Sequence, residues 1–179
     1  MTRSISRVIL VLVLSLLHEL VLAQDETVKD FFSFYFNEYQ YGIPDATRIS
    51  SLSKLITPEL RQLLLDANSA EKCHAQRVHD TEPPLLEGDL FTSLFEGATD
   101  GKIAAVRVNG STAEVDVEWI YDVEGEQTLV WQDRFYLASR KGVWLIDDIE
   151  HLGKWEFAYH GKISELLRDI AGQCRSGAD

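Results

Sequence analysis

The spacing of apolar residues changes near residue 100, and this change constrains the fold more than any other feature. Between Thr112 and Trp119, apolar and charged residues alternate. An alternation with a period of two is typical of a strand with one buried face. The preceding pair, Asn109 and Gly110, predicts a tight hairpin turn. Similar segments predict three further strands, at Ile103–Val108, Leu129–Ser139 and Val143–Ile149.

Residues with helical spacing lie on both sides of this strand region. The first such set is Val28, Phe31, Phe32, Tyr35, Phe36 and Tyr39. It predicts an amphipathic helix that ends before Gly42 and Pro44. Thr57 and Pro58 predict the N-cap and first position of a second helix that runs toward Cys73. A short helix ending near Gly97 is also expected.

A closing helix completes the predicted set, because Ile163, Leu166, Leu167 and Ile170 recur at helical spacing. The strands are grouped together and do not alternate with helices. This order predicts an α+β domain with an antiparallel meander of about four strands, and it argues against a parallel nucleotide-binding sheet.

The first 23 residues have the three parts of a cleavable export signal. Arg3 and Arg7 supply positive charge, Val8–Leu17 is a ten-residue apolar run broken only by a serine, and Ala23 suits a cleavage site. The run is shorter than the ~18–20 residues of a membrane-spanning helix. We therefore predict a signal peptide at 1–23 and a single α+β domain at 24–179. The mature protein would begin at Gln24 and be periplasmic or secreted, without stable membrane insertion.

The net charge restricts the partners that the domain can bind. The full chain carries a formal charge of −12, and loss of Arg3, Arg7 and Glu19 with the leader makes it −13. An acidic domain repels phosphate backbones and anionic lipid surfaces. This charge argues against nucleic acid as a partner and is compatible with a cationic protein or peptide of the envelope, or with solubility alone.

The two cysteines, Cys73 and Cys174, both lie in the predicted exported part. An even number of cysteines in an oxidising compartment favours a disulfide. This bridge would close a loop of about 100 residues and stabilise the fold by roughly 4–5 kcal/mol in the chain-entropy model. The alternative is a pair of free structural thiols.

Mass spectrometry of the intact protein checks the bridge. We expect alkylation to add no mass before reduction and two alkyl groups after it. Modification of both thiols without reductant would contradict the prediction.

Two segments resemble a known family. These are the residues Pro-Pro-Leu-Leu-Glu-Gly-Asp-Leu-Phe-Thr-Ser-Leu-Phe-Glu-Gly at Pro83–Gly97 and the strand Val143–Ile149, which contains Asp147 and Asp148. Together with the two preceding helices they resemble the exported bacterial proteins known as domain of unknown function 3828, over about Val28–Ile170. The resemblance implies the cone-shaped fold of nuclear transport factor 2-like proteins. In that fold, N-terminal helices pack on a curved antiparallel sheet with a pocket between them. The resemblance implies no activity.

Six residues are candidates to line such a pocket: Tyr35, Tyr39, Trp119, Trp131, Asp133 and Asp148. A carboxylate placed near tyrosine hydroxyls can act as a general base. The alternative is that Asp147 and Asp148 end a strand and form surface ion pairs with Arg134, Arg140 or Arg168. The chain has no complete catalytic motif, so no catalytic residue is assigned.

No cofactor or metal is predicted. His74 and His79 are five residues apart and would lie on different faces of a helix, which does not suit a zinc pair with Cys73 or Asp80. The sequence favours a binding or immunity-type domain for a protein or small ligand. The alternatives are a small pocket enzyme of isomerase or lyase type that uses an aspartate base, and a structural domain of the envelope.

Overall fold

The computed structural model describes residues 23–78, 82–156 and 158–173 of the 179-residue chain. The predicted leader, apart from Ala23, lies outside these residues, as do His79, Asp80 and Cys174. The signal peptide therefore stays a prediction.

Four helices and five strands form the described structure. The helices are α1 at 23–37, α2 at Ala46–Leu52, α3 at Pro58–Val78 and α4 at Ile163–Gln173. The strands are β1 at Asp100–Asn109, β2 at Thr112–Tyr121, β3 at Leu129–Arg140, β4 at Val143–His151 and β5 at Gly161–Lys162. No described helix has both the length and the apolar character to span a membrane.

The five strands form one antiparallel sheet in the order β1-β2-β3-β4-β5, so each strand pairs with its neighbours in the sequence. The predicted α+β class and antiparallel meander are confirmed. The alternation in β2 is confirmed as well: Val115, Val117 and Trp119 are fully buried, whereas the acidic residues between them are only partly buried.

The core is a layer of aromatic rings between α1 and the sheet. The ring of Phe31 contacts Phe91 at 5.3 Å and Phe135 at 5.1 Å between centroids, edge to face in both cases. Trp119 contacts Phe32 and Tyr35 at 5.2 and 5.3 Å. Such contacts add about 0.5–1.5 kcal/mol each beyond the area they bury. The helical spacing of α1 is thus explained by burial against the sheet.

Two details of the helical prediction are wrong. Residues 82–99 contain no helix, because side-chain hydrogen bonds fix their backbone in irregular turns. Helix α2 was not predicted, because its seven residues are too few to show a clear period. Asp45 begins it by accepting hydrogen bonds from the amides of Thr47 and Arg48, both at 2.9 Å.

The outer edge of β4 is covered by the segment before α3. The amide of Ile146 donates to the carbonyl of Leu55 at 2.8 Å, and the amide of Thr57 donates to the carbonyl of Ile146 at 2.9 Å. The hydroxyl of Thr27 donates to the carbonyl of Trp144 at 3.1 Å. These bonds attach both α1 and the start of α3 to the sheet.

Helices α3 and α4 pack against each other. Cys73 lies on α3, and α4 ends one residue before Cys174. Because Cys174 lies outside the described residues, the bridge stays a prediction.

Two-residue turns close the two tight hairpins of the meander. In the first, Gly110 has φ of 60° and occupies the first central position, as a type II′ turn requires. In the second, Lys141 and Gly142 have φ of 54° and 82°, the pattern of a type I′ turn. Lysine in the left-handed region costs roughly 1 kcal/mol relative to glycine.

Replacing this lysine should stabilise the domain. We expect Lys141→Asn to raise the free energy of unfolding by about 0.5–1 kcal/mol, because asparagine tolerates positive φ better. Urea unfolding of the full chain measures this. Lys141→Ala, which keeps the strain, is the control, and an equal gain in both variants would contradict the interpretation.

Candidate functional site

The six predicted pocket residues do not line one common cavity. Trp119 is fully buried in the aromatic core. Trp131 and Asp133 lie together on β3, and Asp148 lies where β4 meets α4. Tyr35 and Tyr39 lie beside Asp89, an acid that the sequence reasoning did not select.

Asp133 is a fully buried carboxylate with several donors. One oxygen accepts from the Ser93 hydroxyl and, at 2.8 Å, from the Leu152 amide. The other accepts from the Ser93 amide at 2.9 Å and from the Trp131 indole at 3.1 Å. Both oxygens are engaged, so Asp133 joins three segments of the chain and has little capacity left for a ligand.

Asp148 connects β4 to α4. Its oxygens accept from the amide and hydroxyl of Ser164, at 3.1 and 2.7 Å, and from the amide of Ile149 at 3.0 Å. The extra residue Asp147 forms a bulge opposite Tyr136 and Leu137, and beyond it Asp148 and Ile149 are both buried.

The surface ion-pair hypothesis is wrong for Asp148, since it is 7% exposed and bonds Ser164. Arg134 instead bonds Asp116 at 2.8 Å, and Arg140 bonds Glu59 at 3.3 Å. Arg168 donates to the Ser164 hydroxyl at 3.3 Å.

Asp89 organises the irregular segment between α3 and β1. One oxygen accepts from the amides of Phe91 and Thr92 at 2.7 and 2.8 Å, and the other accepts from the Tyr35 hydroxyl at 2.7 Å. The Tyr35 hydroxyl in turn accepts from the Ala98 amide at 2.9 Å. This chain of bonds fixes both ends of the segment on α1.

Tyr39 completes the attachment of this segment. Its hydroxyl accepts from the Leu90 amide at 2.8 Å and donates to the Gly42 carbonyl at 3.0 Å. Gly97 lies so close that a Cβ there would be 2.8 Å from both the Asp89 carboxylate and the Tyr35 hydroxyl, and its φ is 76°. An aspartate that accepts bonds from the amides two and three residues later, as Asp89 does, is a recognisable signal of a turn. Gly88 and Gly97 strengthen this signal, because both have positive φ.

Burial controls the protonation of these groups. It raises the pKa of Asp89 to about 7, against the lowering effect of the hydrogen bonds from Tyr35, Phe91 and Thr92. Burial and the neighbouring Asp89 raise the pKa values of Tyr35 and Tyr39. Burial also lowers the pKa of His151, whose ring contacts the Leu90 carbonyl at 3.1 Å, although Asp133 opposes this effect.

A cleft of about 270 Å³ opens beside these groups, and we call it the tyrosine cleft. It is lined by Tyr35, Phe36, Tyr39, Gln40, Tyr41, Asp89, Glu96 and Ala98. Tyr41 and Phe36 are 64% and 40% exposed. The Tyr41 hydroxyl donates to the Glu96 carbonyl at 2.6 Å, which fixes the ring at the rim. The lining contains aromatic faces and carboxylates but no basic side chain.

The histidine and tryptophan candidates from the sequence are not arranged as a catalytic or metal-binding site. His74 contacts the Pro83 carbonyl at 3.1 Å. Within the described ranges, no three His, Cys, Asp or Glu residues are grouped so that they could hold a metal ion. The Trp119 indole NH is buried and has no hydrogen-bond partner there.

Comparison with known proteins identifies no family. No family model matches the chain, and no curated protein matches it. A SEC-C motif containing protein from Rhodopseudomonas palustris, solved in solution, is similar over 59% of this chain with 13% identity and a TM-score of 0.35. The match spans 66% of that protein, just under two-thirds of its length. A TM-score this low carries no argument about fold or function.

The raised pKa of Asp89 predicts a pH dependence of stability. The unfolded chain releases this proton near pH 3.9, whereas the folded protein holds it until about pH 7. The free energy of unfolding therefore falls as the pH rises through this window. In Asp89→Asn, which cannot ionise, the free energy of unfolding relative to wild type should rise by about 2 kcal/mol from pH 5 to pH 7.

Urea unfolding at both pH values measures this difference. Asp169→Asn removes an exposed carboxylate on α4 and is the control, for which the difference should stay constant. A difference for Asp89→Asn that is constant or falls with pH would contradict the assignment.

Proposed function

We propose that this chain is an exported, non-catalytic binding domain that captures a cationic group of a protein or peptide partner at the tyrosine cleft. The observation that carries the proposal is the composition of the cleft, where the exposed rings of Tyr41 and Phe36 lie with the exposed Glu96 and the buried Asp89. An immunity-type role toward a secreted basic protein is one form of this function.

The rings of Tyr41 and Phe36 suit a cation at the rim. A guanidinium or ammonium over an aromatic face gains about 0.5–1 kcal/mol at exposed sites and more when water is excluded. Glu96 adds a full negative charge beside these rings. Asp89 contributes charge only as the pH rises toward and above its pKa of about 7.

The acidic field extends beyond the cleft. The Tyr121 hydroxyl donates to Glu126 at 2.9 Å, and this bond, together with Glu96 and Tyr41 nearby, raises the pKa of Tyr121. The net charge, −12 for the full chain and −13 without the leader, would attract a basic partner from a distance.

We also propose the fold and family that the sequence resembles. Helices followed by a sequential antiparallel meander support a nuclear transport factor 2-like cone and membership of domain of unknown function 3828. The exported location rests on the leader sequence.

Binding of an arginine peptide tests this function. We expect the peptide Gly-Arg-Gly-Arg-Gly, labelled with a fluorophore, to bind the full chain, and Tyr41→Ala or Glu96→Gln to weaken binding on the order of three- to tenfold. Fluorescence anisotropy at low salt measures the dissociation constant.

The citrulline version of the peptide is the matched control, because citrulline is similar in shape but uncharged. Asp169→Asn, which removes one negative charge far along the sequence, should leave affinity nearly unchanged. Equal binding of both peptides, or equal losses in all three variants, would rule out a site at the tyrosine cleft.

One observation favours a second function, that of a small pocket enzyme. Asp89 has a pKa of about 7, close to the value of an effective general base, and its carboxylate lies 2.7 Å from the Tyr35 hydroxyl at the edge of the cleft. Asp133 and Asp148, the bases considered from the sequence, are engaged by structural donors. Asp89 also caps two amides, so binding is the better-supported function.

A further inference from the structure

Another strand could join the sheet at three edges: β1, the outer side of β4 and the first half of β3. The first two are protected against such pairing. β1 is a terminal strand, but it carries Lys102 and Arg107 and a bulge between Ile103 and Ala105. Charges and bulges on an edge disfavour pairing with another chain. The outer edge of β4 is covered by Leu55–Thr57 and, at its end, by β5.

The first half of β3 forms a third edge, and it lacks such protection. β4 pairs with β3 only from Arg134 to Arg140, so Leu129–Asp133 has β2 on one side and none of the described strands on the other. The residues from Leu129 to Gln132 carry no charge, and Val130 is 58% exposed.

The geometry of the hairpin fixes which backbone groups face this edge. In the two-residue hairpin between β3 and β4, the flanking residues Arg140 and Val143 bond each other through their backbones. Arg140 and every second residue before it therefore direct their amide and carbonyl groups toward β4. Gln132 and Val130 belong to this set. The alternate residue Ser139 donates its amide to Ser111, which is on the β2 side, as this assignment requires. Gln132 and Val130 therefore present backbone groups that no described backbone group pairs.

A groove of about 460 Å³ runs along the same edge. Three successive residues of β3 line it, and their side chains alternate in direction, so the strand edge itself forms its floor. The lining residues are Glu118, Val130, Trp131, Gln132, Leu152, Lys154 and Trp155. The partly buried Trp155 packs edge to face on the buried Trp131 at 5.7 Å and gives the groove an apolar side.

The charge of the groove is asymmetric. Glu118 is paired with Lys102 at 2.7 Å. Lys154 is exposed and forms no ion pair with any residue of the described ranges. The charged group that a bound segment can pair with is therefore the ammonium of Lys154.

We propose that this groove binds an extended segment of a partner protein, which adds to the free half of β3 as a strand. A large apolar side chain of the segment would pack on Trp155, which the buried Trp131 supports, and an acidic side chain would face Lys154. Main-chain bonds to Val130 and Gln132 would give affinity, and the groove would give selectivity. This site is separate from the tyrosine cleft and does not depend on it.

Three labelled decapeptides test the proposal with the full chain. Each alternates valine and threonine around a central tyrosine, and the residue after the tyrosine is aspartate, threonine or lysine. We expect the aspartate peptide to bind most tightly and the lysine peptide least tightly. Failure of all three to bind at 1 mM, or the reverse order, would overturn the proposal.

A proline scan tests the main-chain bonds. Gln132→Pro removes the amide that faces the groove without breaking a bond of the fold, and we expect about a tenfold loss of affinity. Gln132→Thr keeps the amide and should bind as wild type does. Val108→Pro removes an amide from the protected β1 edge and should also bind normally.

Equal binding by Gln132→Pro and wild type would overturn the proposal, as would an equal loss in Val108→Pro. Sedimentation of the free protein distinguishes the other occupant. A dimer that Gln132→Pro dissociates would mean that a second copy fills the groove, which also contradicts a partner segment.

Discussion

The buried carboxylate of Asp133 connects three parts of the chain that are distant in sequence. It lies on β3 and accepts bonds from Ser93, which precedes the sheet, and from Leu152, which follows β4. An ionised carboxylate is costly to bury unless donors replace the water it loses. The two segments must therefore converge on β3 to supply those donors. Each segment then has a fixed position: the first beside the tyrosine cleft, the second as one wall of the groove along β3.

Asp89 also connects separate segments through its carboxyl group, but its hydrogen bonds do not outweigh the effect of burial on its pKa. Its donors come from Phe91 and Thr92 on its own turn and from Tyr35 on α1, and burial still raises its pKa to about 7. The irregular segment at 82–99 is thus stabilised both by polar bonds to helix α1 and by burial of Leu90 and Phe91. The same contacts leave Tyr41 and Phe36 at the surface, where their rings are available to a ligand.

Much of the fold was predictable from the sequence, because its strands and long helices show regular burial. The alternation of apolar and acidic residues in β2 and the helical spacing of apolar residues in α1 each arise because one face of the element packs on the core. The irregular segment before the sheet was not predictable in the same way, since its conformation depends on Asp89 and Asp133, whose donors are distant in sequence or in a tight turn. The one-residue bulge at Asp147 pairs Ile149 with the buried Phe135, so Ile149 is buried although strict alternation from Ile146 would direct it outward.

For the same reason, only part of the candidate site was predictable. Tyr35 and Tyr39, two of the residues selected from the sequence, line the tyrosine cleft: Tyr35 lies on α1 and Tyr39 just beyond its end. Tyr41 and Glu96 lie 55 residues apart and meet through one hydroxyl and one carbonyl, which leaves no periodic signal. The free half of β3 depends on where β4 stops pairing. At that position the amide of Leu152 bonds the side chain of Asp133 and not the backbone of β3.

The sequential order of the strands also has a consequence for how the chain folds. Every strand pair except the short one at β5 joins segments separated by a turn of a few residues, so little chain entropy is lost when each pair forms. The contacts of α1 with the sheet, such as Phe31 with Phe135, span about a hundred residues and close the largest loops. The meander can therefore assemble early and locally, whereas the aromatic layer waits for the first helix to dock. Until that docking step, the apolar face of the sheet is open to water and to other unfolded chains.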